Sequence, residues 1–222
     1  MSVRALLFDL DGTLIDSDPL HFEAYHQISA RYGVTFDEDF FSRHISGHTN
    51  ATICAKLYPS LSVAEHERIG DEKEDLFRAL LAGQARAIPG VQAAIAWGRA
   101  HDLKLAIVSN APPANVTASV AALGLDGAFA VEIYGGLVAK SKPDPMPYRE
   151  ALARLGVSAD QAVAFEDTPL GVRAAVGADI ATVGLTTTQS PDALMTAGAT
   201  LTIADFEDTG LIPFLSERIG AR

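Results

Sequence analysis

Residues 3–14 read Val3-Arg4-Ala5-Leu6-Leu7-Phe8-Asp9-Leu10-Asp11-Gly12-Thr13-Leu14, an apolar run that ends in two carboxylates and a glycine. Apolar residues at successive positions, without polar alternation, suit a strand covered on both faces, as in a parallel sheet. In extended chain, residues two apart point to the same side, so Asp9 and Asp11 share a side and Gly12 lets the backbone turn just beyond them. Open parallel sheets bind ligands outside the carboxyl ends of their strands, which is where this pair falls. Two close carboxylates stay ionised only when a cation or hydrogen-bond donors neutralise them, and a divalent metal is the economical answer.

The same pattern recurs downstream. Short apolar runs at 104–108, 128–133, 161–165 and 180–184 are each strand-like, and helical patterns at 92–101, 113–123, 145–155 and 169–176 supply the crossovers of βαβ units. The core therefore reads as α/β, a Rossmann-like parallel sheet. Ser62 with Glu65 and Ser158 with Gln161 have capping-box spacing, and Gly124 and Gly156 follow helical runs as C-terminal caps should. Between the first strand and the Pro89-Gly90 turn the texture changes. Segments 17–31, 37–43, 48–58 and 62–86 all have helical spacing, with no strand-like run among them. The expected organisation is a core of 1–14 and 89–222 carrying a helical insert at 15–88, joined by two chain crossings that make a natural hinge.

Composition narrows the function classes. The chain has 222 residues with 17 basic and 28 acidic side chains, a formal net charge of −11. That sign disfavours nucleic acid and anionic membrane as partners. Cys54 is the only cysteine, which excludes an intrachain disulfide, a redox pair and a multi-cysteine zinc site. The apolar run at 5–8 is interrupted by Asp9 and Asp11 before it could serve as a signal segment or membrane span, so a cytoplasmic location is expected.

Three further strand ends carry matching chemistry. Ser109 and Asn110 follow the second strand, Lys142-Pro143-Asp144-Pro145 follows the third, and Glu166-Asp167 closes the fourth. Together they offer a carboxylate nucleophile, a second carboxylate for proton transfer, hard oxygen ligands for Mg2+, and a hydroxyl plus an ammonium for a phosphoryl group. That set is suited to phosphoryl transfer.

The four motifs, Asp9-x-Asp11-Gly-Thr, Ser109-Asn110, Lys142-Pro-x-Pro and Glu166-Asp167 with Gly171 downstream, resemble those of the haloacid dehalogenase superfamily of phosphohydrolases. The helical insert resembles the cap of its β-phosphoglucomutase and phosphoglycolate phosphatase branch. The resemblance implies that Asp9 attacks phosphorus and forms an aspartyl-phosphate, while Asp11 protonates the leaving oxygen and then activates water. It implies Mg2+ held by Asp9, the Asp11 backbone carbonyl and Asp167, with Glu166 direct or through water. Ser109 and Lys142 would hold the transferring phosphoryl group. The second aspartate favours phosphate ester chemistry over dehalogenation, because dehalogenating members lack it and use no metal.

By the same resemblance, substrate choice lies in a cap that closes over the site. His21, Gly47, His48 and Asn50 are the expected substrate contacts there, with Asn110 in the core. The branch's mutases carry a lysine just before that loop glycine, an arginine three residues after it, and a lysine three residues beyond the motif-two serine; this chain has Ser46, Asn50 and Pro112 instead. A mutase must grip a second phosphate, and these positions lack the cations to do so. The expectation is a Mg2+-dependent phosphatase acting on a small phosphorylated metabolite, as a monomer or weak homodimer. The alternatives are a phosphosugar mutase, a phosphonate hydrolase using Lys56 or Lys73 as an amine nucleophile, and a catalytically silent binding module.

Overall fold

The computed structural model describes residues 2–45 and 48–219. It divides into two compact units, Met1–Asp16 with Arg86–Arg222, and Ser17–Ala85. The first unit is built on β1 (Ala5–Phe8), β2 (Lys104–Val108), β3 (Val131–Ile133), β4 (Ala162–Glu166), β5 (Ala181–Leu185) and β6 (Leu201–Ile203). Every pairing is parallel, and the strand order is β3-β2-β1-β4-β5-β6. β1 lies between β2 and β4, with Leu7 in register with Ala106 on one side and Ala164 on the other. The order reverses at β1, which makes its carboxyl end the topological switch point.

Helices follow the strands as crossovers. In this unit they are α5 (Val91–Ala100), α6 (Pro113–Ala122), α7 (Met146–Leu155), α8 (Pro169–Gly177), α9 (Pro191–Ala197) and α10 (Leu211–Ile219), numbered after the four of the insert. β6, α9 and α10 were not among the sequence-based expectations, and β3 begins at Val131 rather than at residue 128. Both faces of the sheet are covered, as the unbroken apolar runs require. Tyr148, Leu152 and Leu155 of α7 and Ala174 of α8 join Ala5, Leu7, Ala106 and Ala164 in one buried cluster. On the opposite face Gly98 of α5 sits so close to the sheet that a methyl there would press on Leu105 and Leu6. Phe8 and Phe165 stack across the β1–β4 pair, with ring centroids 4.9 Å apart and planes 8° from parallel, and Phe206 closes against Phe165 at 5.2 Å.

The second unit is helical: α1 (Asp18–Ala30), α2 (Glu38–His44), α3 (Asn50–Leu57) and α4 (Val63–Gln84). Ser62 and Glu65 form the expected capping box at the start of α4, whose last turn departs from helical geometry at Ala82 and Gly83. Tyr25, Ile28, Phe41, Ile53, Cys54 and Ile69 make its core. Residues 15–16 and 86–88 cluster with the sheet unit rather than with the insert, because backbone pairing ties them there. Asp16 N–H donates to Arg86 O at 2.9 Å, Ile88 N–H donates to Leu14 O at 3.1 Å, and Ile15 bridges Ala87.

The stacked pair makes β1 and β4 energetically dependent on each other. Phe165→Ala removes a fully buried ring and should cost about 3–5 kcal/mol of stability, read as a lower urea midpoint without loss of the parallel-sheet circular dichroism signature.

Candidate active site

The carboxyl ends of β1, β2, β4 and β5 and the loop after β3 supply the polar groups of the first unit. Asp9 follows β1 directly, its N–H donating to Phe165 O at 2.9 Å, so the β1–β4 ladder sets the position of its side chain. Gly12, with φ +73°, turns the chain back, and a methyl at this position would overlap the Asp167 carboxylate. Thr187 Oγ1 donates to Gly12 O at 2.6 Å and ties the turn to the segment after β5.

Lys142 is the hub of the charge arrangement. Its ammonium donates to Asp9 Oδ1 and to Glu166 Oε1, each at 2.6 Å, and its side chain is 5% exposed. Burial opposes the charge on Lys142, but Asp9 and then Glu166 outweigh it and hold its pKa above the ordinary lysine value. Asn110 anchors the backbone of the same residue: its Oδ1 accepts from Lys142 N–H at 3.1 Å and its Nδ2 donates to Lys142 O at 3.4 Å. Asn110, expected to contact substrate, therefore latches the lysine loop to the end of β2. Ser109 is buried and its Oγ accepts from Ala111 N–H at 3.0 Å, which leaves the hydroxyl proton to donate elsewhere.

Asp9, Glu166 and Asp167 each offer an oxygen, and these oxygens lie within 4.8 Å of one another. All three side chains are buried. Burial pushes the Asp9 pKa up, against the pull of Lys142, and Asp11 adds its repulsion. Glu166 is raised to about 7 by burial, again against Lys142. Asp167 is raised well above its ordinary value by burial and then by the charges of Asp9 and Glu166. If all three were ionised, one ammonium against three carboxylates would leave an uncompensated negative charge. Glu166 Oε2 and Asp167 Oδ1 are buried without a hydrogen-bond partner among the described residues, and buried oxygens of this kind call for a ligand. A hard divalent cation fits this oxygen set, since it binds carboxylates and supplies the missing positive charge. Asp11, half-buried in the turn after Asp9, is outside this triplet of side-chain oxygens but close enough to raise the Asp9 pKa.

Two hydroxyls that the sequence reading passed over also meet these acids. Tyr148 Oη donates to Glu166 Oε1 at 2.6 Å from the fully buried face of α7, and Thr188 Oγ1 donates to Asp167 Oδ2 at 2.6 Å. Burial, and then the Glu166 charge, pushes the Tyr148 hydroxyl well above its ordinary pKa, so it remains a donor. Gly171 gives Glu166 room, because a methyl there would overlap the carboxylate. A run of three threonines at 186–188 directly after a strand was the available signal for Thr188.

In the helical unit, His21, Asn50 and Lys73 belong to one polar network. Lys73 Nζ lies 2.9 Å from His21 Nδ1 and 3.0 Å from Glu74 Oε1, and His21 stacks on Phe77 at 4.0 Å. Asn50 accepts from Tyr25 Oη at 2.5 Å and donates to Glu74 Oε1 at 2.7 Å, so both ends of its amide have partners inside the unit. His48 is exposed ahead of α3, and Gly47 lies outside the described residues.

Comparison with known proteins places the chain in a family. The model of the haloacid dehalogenase-like hydrolases matches residues 6–185. A phosphorylated carbohydrates phosphatase of Thermotoga maritima is 33% identical over 183 residues, covering 80% of this chain and 82% of the relative. A validoxylamine A 7'-phosphate phosphatase of Streptomyces hygroscopicus subsp. limoneus is 32% identical, covering 89% of this chain and 92% of the relative. The crystal structure of CbbY from Rhodobacter sphaeroides in complex with phosphate superposes with a TM-score of 0.81 at 29% identity, covering 94% of this chain and 96% of the other.

The Lys142 pairing has a direct stability consequence. Lys142→Met leaves Asp9 and Glu166 buried without their shared cation and should destabilise the metal-free protein by about 3–5 kcal/mol. Urea unfolding in EDTA measures it.

Proposed function

The chain belongs to the haloacid dehalogenase-like hydrolase family and is a phosphoric monoester hydrolase, and on that premise we propose that it hydrolyses a small phosphorylated metabolite through a covalent intermediate on Asp9. The relatives named as phosphatases of phosphorylated carbohydrates, of validoxylamine A 7'-phosphate and of phosphoglycolate support a substrate of sugar phosphate or phosphoglycolate type. The observation that carries the reading is Asp9 itself, a buried carboxylate at the switch point of the sheet with one oxygen held by Lys142 and two further acids beside it.

Each residue has a role consistent with its geometry. Lys142 takes Asp9 Oδ1, which leaves Oδ2 to form the bond to phosphorus. As that bond forms, the ester P–O bond breaks and the Asp11 carboxyl gives its proton to the departing alcohol oxygen. Asp11, now a carboxylate, takes a proton from the water that attacks the aspartyl-phosphate. The Asp9–phosphorus bond then breaks, releasing inorganic phosphate and regenerating both groups. The Ser109 hydroxyl and the Lys142 ammonium donate to the equatorial oxygens of the phosphoryl group, where charge is spread in the transition state. Asp9, the Asp11 carbonyl and Asp167 would hold Mg2+, with Glu166 direct or through water. Bound there, Mg2+ neutralises the acids and polarises the phosphoryl group. Asn110 keeps the Lys142 loop in place while this happens.

Phosphate release from a panel of sugar phosphates and phosphoglycolate, with Mg2+ or EDTA, tests the proposal. Asp9→Asn should lower turnover on the order of 10^4-fold or more with the fold retained, and EDTA should abolish the activity until Mg2+ is restored. Undiminished phosphate release in the variant would remove Asp9 as the nucleophile, and an isomeric sugar phosphate in place of free phosphate would make the chain a mutase.

A further inference from the structure

Glu166 and Asp167 share a feature that their position alone does not require. In each, one carboxylate oxygen is taken up by donors of the protein and the other is left bare. Glu166 Oε1 accepts both the Lys142 ammonium and the Tyr148 hydroxyl at 2.6 Å, while Oε2 has no partner among the described residues. Asp167 Oδ2 accepts from Thr188 Oγ1 at 2.6 Å, while Oδ1 is buried and bare. The Thr188 hydroxyl also lies 3.1 Å from Asp167 O, so one side chain braces both the carboxylate and the backbone of that residue. Gly12 borders the same Oδ2 from the β1 turn, and Gly171 borders the Glu166 carboxylate from α8, Oε2 most closely, where only a glycine leaves that oxygen uncovered. Neither carboxylate can exchange the roles of its oxygens without breaking a hydrogen bond in a buried setting, where an unmade bond is expensive.

We propose that Thr188 and Tyr148 are positioning residues of the cation site, each holding one oxygen of its partner acid so that the other faces the metal. The inference rests on the metal reading above and deepens it: ligand identity comes from Asp167 and Glu166, whereas ligand orientation comes from residues on the β5 loop and on α7. Neither hydroxyl touches metal or substrate. Partners of ligands typically change metal affinity about 10–100-fold when removed. Thr188 should carry the larger effect, since its hydroxyl is the side-chain donor on Asp167 Oδ2, whereas Glu166 Oε1 keeps Lys142 when Tyr148 is lost.

Mg2+ binding to the intact protein, measured calorimetrically without substrate, separates this role from a merely structural one. Thr188→Val replaces the hydroxyl by a methyl and should raise the Kd for Mg2+ about tenfold or more, while Thr188→Ser keeps the hydroxyl and should bind within about twofold of the parent. Tyr148→Phe should weaken binding by a smaller factor, and at saturating Mg2+ both variants should recover most of kcat. Circular dichroism in EDTA checks folding, and Thr188→Ala serves in place of Thr188→Val if the latter fails to fold. Unchanged Mg2+ affinity in the hydroxyl-free variants would overturn the inference and leave the metal site standing. Equal losses in Thr188→Ser and Thr188→Val would overturn it too, because packing and not the hydroxyl would then matter. A parent protein that binds no Mg2+ would instead fail the metal reading itself.

Discussion

Three buried carboxylates within 4.8 Å of one another set the terms for the sheet unit. Their mutual repulsion and the loss of water both work against ionisation, and the surrounding chain is arranged to offset this. Lys142 offers one full positive charge, shared between Asp9 and Glu166. Two hydroxyls offer partial ones. Asn110 anchors the loop that carries the lysine, and Gly12 and Gly171 stand where any side chain would collide with an acid. Parallel pairing brings these elements together, since it aligns the carboxyl ends of β1, β4 and β5 along one edge of the sheet.

The core was legible because its strands are plain. Residues 104–108 form β2 as the apolar run suggested, and the other central strands begin and end within a few residues of their runs. The last elements of the chain were not read. Leu201-Thr202-Ile203 is too short to show a period, and α9 spans only seven residues, whereas α10 carries an amphipathic pattern, with Leu211 and Leu215 buried, that could have been read. The strand-end acids and Lys142 could be read from residue type and order. Their hydroxyl partners could not be read so easily, since Tyr148 on an apolar helical face looks like any core aromatic until its Oη is seen on Glu166. Thr188 was within reach, because a threonine run after a strand falls under the same rule that picked out Asp9.

Asn50 illustrates a different limit. It is the first residue of α3, and its amide is engaged by Tyr25 and Glu74, which the sequence does not show. Those partners lie 25 and 24 residues away in the chain, on α1 and α4. Local pattern shows which groups are polar, and only the packing of three helices shows that they satisfy one another. The same packing brings His21 of α1 beside Lys73, whose sequence neighbour Glu74 is its ion-pair partner, so the helical unit neutralises this buried charge from within.

The short pairing of residues 15–16 with 86–88 has a consequence for how such a chain can diversify. Every strand partner of the sheet lies outside residues 17–85, and the two ends of that segment are stitched together by Asp16, Ile15 and Ile88. To the core, the whole helical unit is one loop whose mouth is already closed. Because the entropy of closing a loop grows only with the logarithm of its length, inserts of very different size cost the sheet nearly the same. The sheet unit with its acid cluster can thus remain constant while the segment between the two crossings is lengthened, shortened or exchanged, so that the two vary as separate inheritable parts.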